Sequence, residues 1–253
     1  MTVTVVSVRP AEHADVSKLA DVLARAFDDD PPFVWALPED ATRRARMRTG
    51  FAATLRAEEG HATVDVARDA DSGAIVGGAI WFPPGAWPVP VFRQLLALPG
   101  YLAAFGRRIG PASQLGAAFD GAHPKGPHWY LHVIGVDPPR QGQGVGGALL
   151  RSRLARVDQA GGAAYLESSK TGNLPLYEHF GFRAGAVPPL PDGAPIVTPM
   201  YRPGVTARAV PAQRSPAQRR PSGLADPTGV VTGSKREYDS QKLTREDGED
   251  SEP

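Results

Sequence analysis

The chain of 253 residues contains no cysteine. That excludes a disulfide framework and any acyl-cysteine intermediate. Charge of either sign is not in excess: the formal net charge is +1, which gives no argument for a nucleic-acid partner or an anionic membrane. Long apolar runs are missing as well. The best candidate, within residues 89–109, is broken by Arg93, Pro99, Arg107 and Arg108, so no bilayer-spanning helix is expected. The opening MTVTVVSVRP has no basic leading segment and too short an apolar run for a secretory signal, so the expected location is the cytoplasm. No long internal repeat is evident. What remains is ordinary for a globular chain: 42% hydrophobic and 22% charged residues, enough to build a core.

The most informative stretch runs from Trp129 to Leu154. Val133, Ile134 and Val136 give the β-branched run of a buried strand, and Pro138-Pro139 stop it. From Val145 onward Ala148, Leu149, Leu154 and Val157 fall near helical spacing. Between strand and helix stand Gly142, Gly144, Gly146 and Gly147. The first amides of a helix are unpaired and sit at the positive end of its dipole. Glycine lets an anion approach them, so the natural guest is a phosphate or diphosphate. Gly142, Gly144 and Gly147 satisfy G-x-G-x-x-G, with Glu167 about twenty residues on. A dinucleotide fold is nevertheless rejected. Residues 137–141 separate the strand from the first glycine, and too little chain follows for the second half of such a sheet. No Gly-Lys-Ser/Thr ends the run, which excludes a P-loop.

Elsewhere the pattern reads as follows. Residues 2–8 suggest a strand, and residues 10–27 a helix with Asp15 as N-cap and an apolar stripe at Val16, Leu19, Ala20, Leu23 and Phe27. Asp28-Asp29-Asp30 then oppose the helix dipole, marking either a site or a solvated turn before Pro31-Pro32. Residues 38–59 read as a second helix, and residues 62–67 and 74–82 as a hairpin. Residues 92–98 and 101–109 suggest two short helices parted by Pro99-Gly100. Aromatic residues gather between 33 and 119, among them Trp35, Trp81, Trp87 and Tyr101; most are expected in the core and a minority along a pocket for an apolar or aromatic guest. Residues 123–127 read as a turn, and residues 196–201 as a last strand. From 203 to 253 large apolar residues are scarce, so a disordered tail is expected beyond a domain of residues 1–202. Its charges are segregated: six Lys/Arg and one Asp in 203–236, seven Asp/Glu and two Lys/Arg in 237–253, which suits a regulatory tail or a solvated extension alike.

Gln141, Gly144 and Gly146 also fit Q-x-x-G-x-G, which resembles the acyl-CoA diphosphate motif of the GNAT N-acetyltransferase superfamily. About thirty residues on, Glu167-Ser168-Ser169, Asn173, Pro175, Leu176, Tyr177 and Gly181-Phe182 resemble that family's next strand, loop and short helix. The Tyr165–Ser169 run and Trp81-Phe82-Pro83-Pro84-Gly85 look like the puromycin N-acetyltransferase branch. The resemblance implies an α+β, three-layer fold: a mixed, mostly antiparallel sheet flanked by helices, with two central parallel strands, Trp129–Val136 and 163–167, splayed apart. It implies an N-acetyltransferase using acetyl-CoA as cosubstrate, with no metal, and a primary amine, of a small molecule by the branch likeness, as acceptor. Amides from Gln141 through Gly142, Gln143, Gly144, Val145 and Gly146 to Gly147 would hold the diphosphate. The segment Ile134-Gly135-Val136 would offer main-chain groups to the pantetheine. Tyr177 would serve the leaving thiolate, and Asn173 would bond the pantetheine or cap the short helix. Glu167, His132 and the Asp28–Asp30 loop are the candidates for general base. Asp28, Asp30, Trp35 and Trp81 are the candidates for the acceptor pocket. Replacing the arginine common at the first motif position by Gln141 removes one cation near the phosphates, though Arg140 is adjacent. Two other readings are a CoA-binding sensor without catalysis and, less favoured, a dinucleotide-dependent oxidoreductase. Pairing with a second copy of the chain is open.

Overall fold

The computed structural model describes residues 5–121 and 123–204, all within one compact unit. The expected tail, apart from Pro203 and Gly204, lies outside the described residues. Among these, seven strands form one sheet in the order β1-β2-β3-β4-β5-β7-β6. They are β1 Val6–Pro10, β2 Thr63–Asp69, β3 Ile75–Phe82, β4 Trp129–Val136, β5 Ala164–Ser168, β6 Arg183–Ala184 and β7 Thr198–Arg202. Only β4 and β5 are parallel neighbours; the other pairs are antiparallel. This is the mixed, mostly antiparallel sheet that the resemblance implies.

The helices are α1 Val16–Ala26, α2 Pro31–Ala36, α3 Asp40–Ala57, α4 Val91–Phe105, α5 Ile109–Asp120, α6 Val145–Gln159 and α7 Leu174–His179. None of the described helices is long and apolar enough to cross a membrane. The sheet separates two cores. On one face Leu19 and Leu23 of α1 and Met47 and Phe51 of α3 pack with Phe82 and Tyr130. On the other, Leu149, Leu150 and Leu154 of α6 pack with Trp81, Leu131 and Leu166. β3 is buried on both faces, which is why its apolar run shows no alternation.

Three expectations change. Asp15 holds the N-cap position of α1 as expected, but its side chain makes no capping bond to that helix: its carboxylate accepts the Glu12 N–H at 2.8 Å and two bonds from Arg9, at 2.7 and 3.0 Å. It thereby closes a 3-10 turn, His13–Asp15, ahead of the helix. The two short helices expected around Pro99-Gly100 are one continuous α4 with Pro99 inside it. Gly100 lies against Ala53 of α3 so closely that a Cβ there would clash, so packing against α3 carries the helix through its proline. The closing carbonyls of α4, Ala104 and Phe105, accept bonds from the Arg46 guanidinium at 2.6 and 3.0 Å. Finally, α5 occupies residues 109–120, where no helix was expected beyond 109.

Candidate active site

β4 carries a bulge. Ile80 faces Val133 and Trp81 faces Leu131, so His132 is the extra residue. Simple alternation places Tyr130, His132 and Ile134 on one face. The bulge instead sends Tyr130 and Val133 to the α1 face and Leu131 and Ile134 to the α6 face. The His132 ring stays with the first group, 5.6 Å from Phe82 and 5.4 Å from Tyr130.

Just there β4 and β5 part. Their pairing runs Trp129 with Ala164, Tyr130 with Tyr165 and Leu131 with Leu166, and stops. β4 continues along β3 to Val136, while β5 continues along β7 to Ser168. Asp137 N–H donates to Val76 O. By the alternation of an antiparallel ladder, Val133 and Gly135 turn their main-chain groups toward β3, whereas Ile134 and Val136 turn theirs into the gap. Gly135 lines the cleft too, and has a packing task besides. A Cβ there would lie 2.8 Å from Leu23 and 3.0 Å from Phe27, so its absence lets α1 sit flat on the strand.

Beyond the gap the chain makes a 3-10 turn, Pro138–Arg140, and enters α6. Gly142 and Gly144 have φ of 70° and 86°, conformations that favour glycine. The N–H groups of Gly144, Val145, Gly146 and Gly147 meet no acceptor among the described residues. Gln141 Nε2 donates to Val136 O at 3.1 Å and Gln143 Nε2 to Pro139 O at 2.8 Å, so both side chains brace the turn. Arg25 holds Asp137 by two bonds of 2.8 Å, and Arg140 lies 3.0 Å from Asp69.

A cleft of about 450 Å3 follows the gap from the α6 start to the fork. His132, Glu167, Asp30, Asn173 and Tyr177 all line it. Asn173 precedes α7 but makes no capping bond with its side chain. The Tyr177 hydroxyl is held well above the usual phenol pKa, by burial first and by the charge of Asp30 second. Burial raises the Asp30 carboxyl to about 6 against a hydrogen bond from Ser169 Oγ, and burial lowers the His132 imidazole to about 4. Lys170 pairs with Asp29 at 2.6 Å, so the loops after α1 and β5 are tied twice across the cleft. Asp28, Trp35 and Trp81 do not line it. Asp28 pairs with Arg44 at 2.6 Å, the Trp35 ring lies near Gly193, and Trp81 is fully buried in the α6 core.

A hydrogen-bonded chain of Glu167, Tyr130 and His132, which the sequence did not reveal, backs the fork, with the His123 ring beside it. The Tyr130 hydroxyl donates to Glu167 Oε2 at 2.8 Å and stands 3.1 Å from His132 Nδ1. With its O–H directed at the carboxylate, the tyrosine oxygen accepts from Nδ1–H, leaving Nε2 of neutral His132 with the lone pair. His123 Nε2 lies 3.2 Å from the other oxygen, Glu167 Oε1. These partners are dispersed over some 45 positions of sequence, and only the β4–β5 register unites them.

Residues 21–182, more than half of the chain, match the Acetyltransferase (GNAT) family, and the chain belongs to that family. A Corynebacterium glutamicum structure described as histone acetyltransferase HPA2 and related acetyltransferase is 32% identical, with a TM-score of 0.63 over 80% of this chain and 98% of that one. An uncharacterized N-acetyltransferase of Schizosaccharomyces pombe is 28% identical over 203 residues, 73% of this chain and 84% of the relative. A second such protein from the same yeast is 46% identical over 54 residues, only 22% of its own length.

Proposed function

We propose that this chain transfers the acetyl group of acetyl-CoA to a primary amine by direct attack. The observation that carries the reading is the parting of β4 and β5 after Leu131 and Leu166, with unpaired α6 amides at the open end. Amides of residues 144–147 would hold the diphosphate. Ile134 and Val136 would bond the pantetheine amides along the gap. The Ile134 N–H faces the place where the thioester oxygen would gain charge; such a donor contributes about 3 kcal/mol to the transition state.

The amine nitrogen attacks the thioester carbon and loses a proton to Glu167 or to Nε2 of His132. The C–S bond then breaks, and the sulfur leaves with the electron pair. Tyr177, its acidity reduced by burial, serves the thiolate as a hydrogen-bond donor rather than as a full acid. Asn173, uncommitted to capping, suits a pantetheine bond. The Trp81–Gly85 and Tyr165–Ser169 likeness to the puromycin branch favours a small-molecule amine beside an aromatic group. Residues 1–202 would be the catalytic domain, with 203–253 a tail outside it.

The test offers a panel of primary amines with acetyl-CoA and reads free thiol together with the acetylated amine by mass spectrometry. Amine-dependent thiol release supports the reading. Tight CoA binding without consumption of any amine would make the chain a CoA-binding protein of the same fold.

A further inference from the structure

Behind Glu167 lies a closed aromatic box. Its walls are Trp87, from the loop after β3, Tyr130 of β4 and Tyr165 of β5, and the His123 imidazole fills it. That ring stacks on Trp87 at 5.5 Å and meets Tyr130 and Tyr165 edge-on at 4.5 and 4.6 Å. Its side chain is 8% exposed and that of Glu167 10%. Although His123 Nε2 approaches Glu167 Oε1, the angle is not that of a hydrogen bond. Both His123 ring nitrogens, Glu167 Oε1 and the Tyr165 hydroxyl are buried without a well-formed hydrogen bond, the Tyr165 hydroxyl lying beside the Glu167 carboxylate. These are four of the seven such side-chain atoms among the described residues, gathered in one place. A buried polar atom left unpaired costs free energy, and a cluster of them suits a polar partner that the folded chain does not itself supply.

The chemistry of the walls names the class of occupant. Three aromatic rings and a carboxylate together attract a cation, the rings through their quadrupoles and the carboxylate through its charge. Glu167 joins the box to the cleft: it closes the box on one side, lines the cleft on the other, and is the first residue of β5 beyond the last pair with β4. A cation bound there would share the Glu167 carboxylate with the cleft, and on passing a proton to it would become the free amine that attack requires.

We propose that the box is the ammonium subsite of the acceptor and that His123 is its resident stand-in. The imidazole swings aside when a primary ammonium borne on an aromatic or apolar group enters. The identity of the guest as an acceptor rests on the acetyl-transfer reading; the box as a cation site does not.

The experiment uses the full chain saturated with free CoA, which cannot acetylate, and measures benzylamine binding by calorimetry. It then measures the KM for benzylamine with acetyl-CoA. His123→Ala empties the box and tightens benzylamine at least about fivefold. His123→Phe keeps the box filled without a displaceable polar ring, and weakens benzylamine by a similar factor. CoA affinity stays within about twofold in both. A structural or proton-relay role would move the two variants in the same direction, because both lack the imidazole, and that result overturns the proposal, as does unchanged binding in both. Opposed shifts in benzylamine binding with no turnover would keep the cation site and remove acetyl transfer. Turnover with unshifted binding would do the reverse.

Discussion

Leu131 of β4 faces Leu166 of β5, and no further pair of these strands follows. Two causes meet at this point. The extra residue His132 bends β4 away. β5 meanwhile keeps its ladder with β7, Glu167 facing Pro199 and Ser168 facing Thr198. The fork is therefore held from both outer sides, and the main-chain groups of Ile134 and Val136 turn into the gap, where Val136 O takes the Gln141 side-chain amide.

Tyr177→Phe removes the hydroxyl from the cleft and keeps the ring that packs 6.2 Å from Phe182. Turnover should fall at least about tenfold, the worth of one hydrogen bond made in the transition state. Acetyl-CoA affinity should hardly change. Steady-state kinetics beside equilibrium CoA binding check both; unaltered turnover would remove Tyr177 from the chemistry.

Two glycines should respond differently. Gly144→Ala forces a side chain into φ 86° and disturbs the unpaired amides, so it should weaken CoA by about tenfold or more. Gly135→Ala places a Cβ against Leu23, Phe27 and Ala26, and should lower stability by about 1–3 kcal/mol. CoA titration and denaturant unfolding of both variants separate the two effects.

That second pair shows how far the sequence could be read. The strand 129–136, the glycine turn and the α6 start were legible because proline, glycine and apolar spacing change within a few residues. The Glu167, Asn173 and Tyr177 positions were legible through family likeness. The bulge at His132 was not, because nothing local distinguishes it from simple alternation; the partners across β3 and β5 impose it. Gly135 lines the cleft with the rest of the 134–136 segment, but its close packing on α1 is not legible, because that helix lies more than a hundred positions earlier. Trp81 was placed at a pocket because a strand buried on both faces gives no sign of which way a ring points. His123 sat in a plain turn, and its contact with Glu167 spans 44 positions of sequence.

Arg153 and Asp65 form a buried pair, 5% and 4% exposed, with bonds of 2.6 to 2.9 Å between α6 and β2. Arg153→Met strands the carboxylate and should cost about 3–5 kcal/mol. Adding Asp65→Leu should restore most of that loss. A double-mutant cycle by urea unfolding gives the coupling.

Two buried groups give opposite pH signatures. Asp30 is raised from 3.8 to about 6, so the folded state binds its proton more tightly than the unfolded chain, and stability falls as pH rises from about 4 to 6. Asp30→Asn should remove that fall and be the more stable form above pH 6, by on the order of 2 kcal/mol. His132 is lowered from 6.5 to about 4, so its contribution is present above pH 6.5 and is lost as pH falls toward 4. His132→Gln should flatten that limb. Thermal unfolding between pH 3.5 and 7.5 (about the span of both shifts) resolves the two.

The most direct test is the crystal structure of the full chain with CoA bound. The account predicts the diphosphate within hydrogen-bond reach of the amides of residues 144–147, and the pantetheine bonded to the Ile134 and Val136 main chain between β4 and β5. CoA seated elsewhere, or β4 and β5 paired through Glu167 and Ser168 in its presence, would contradict it.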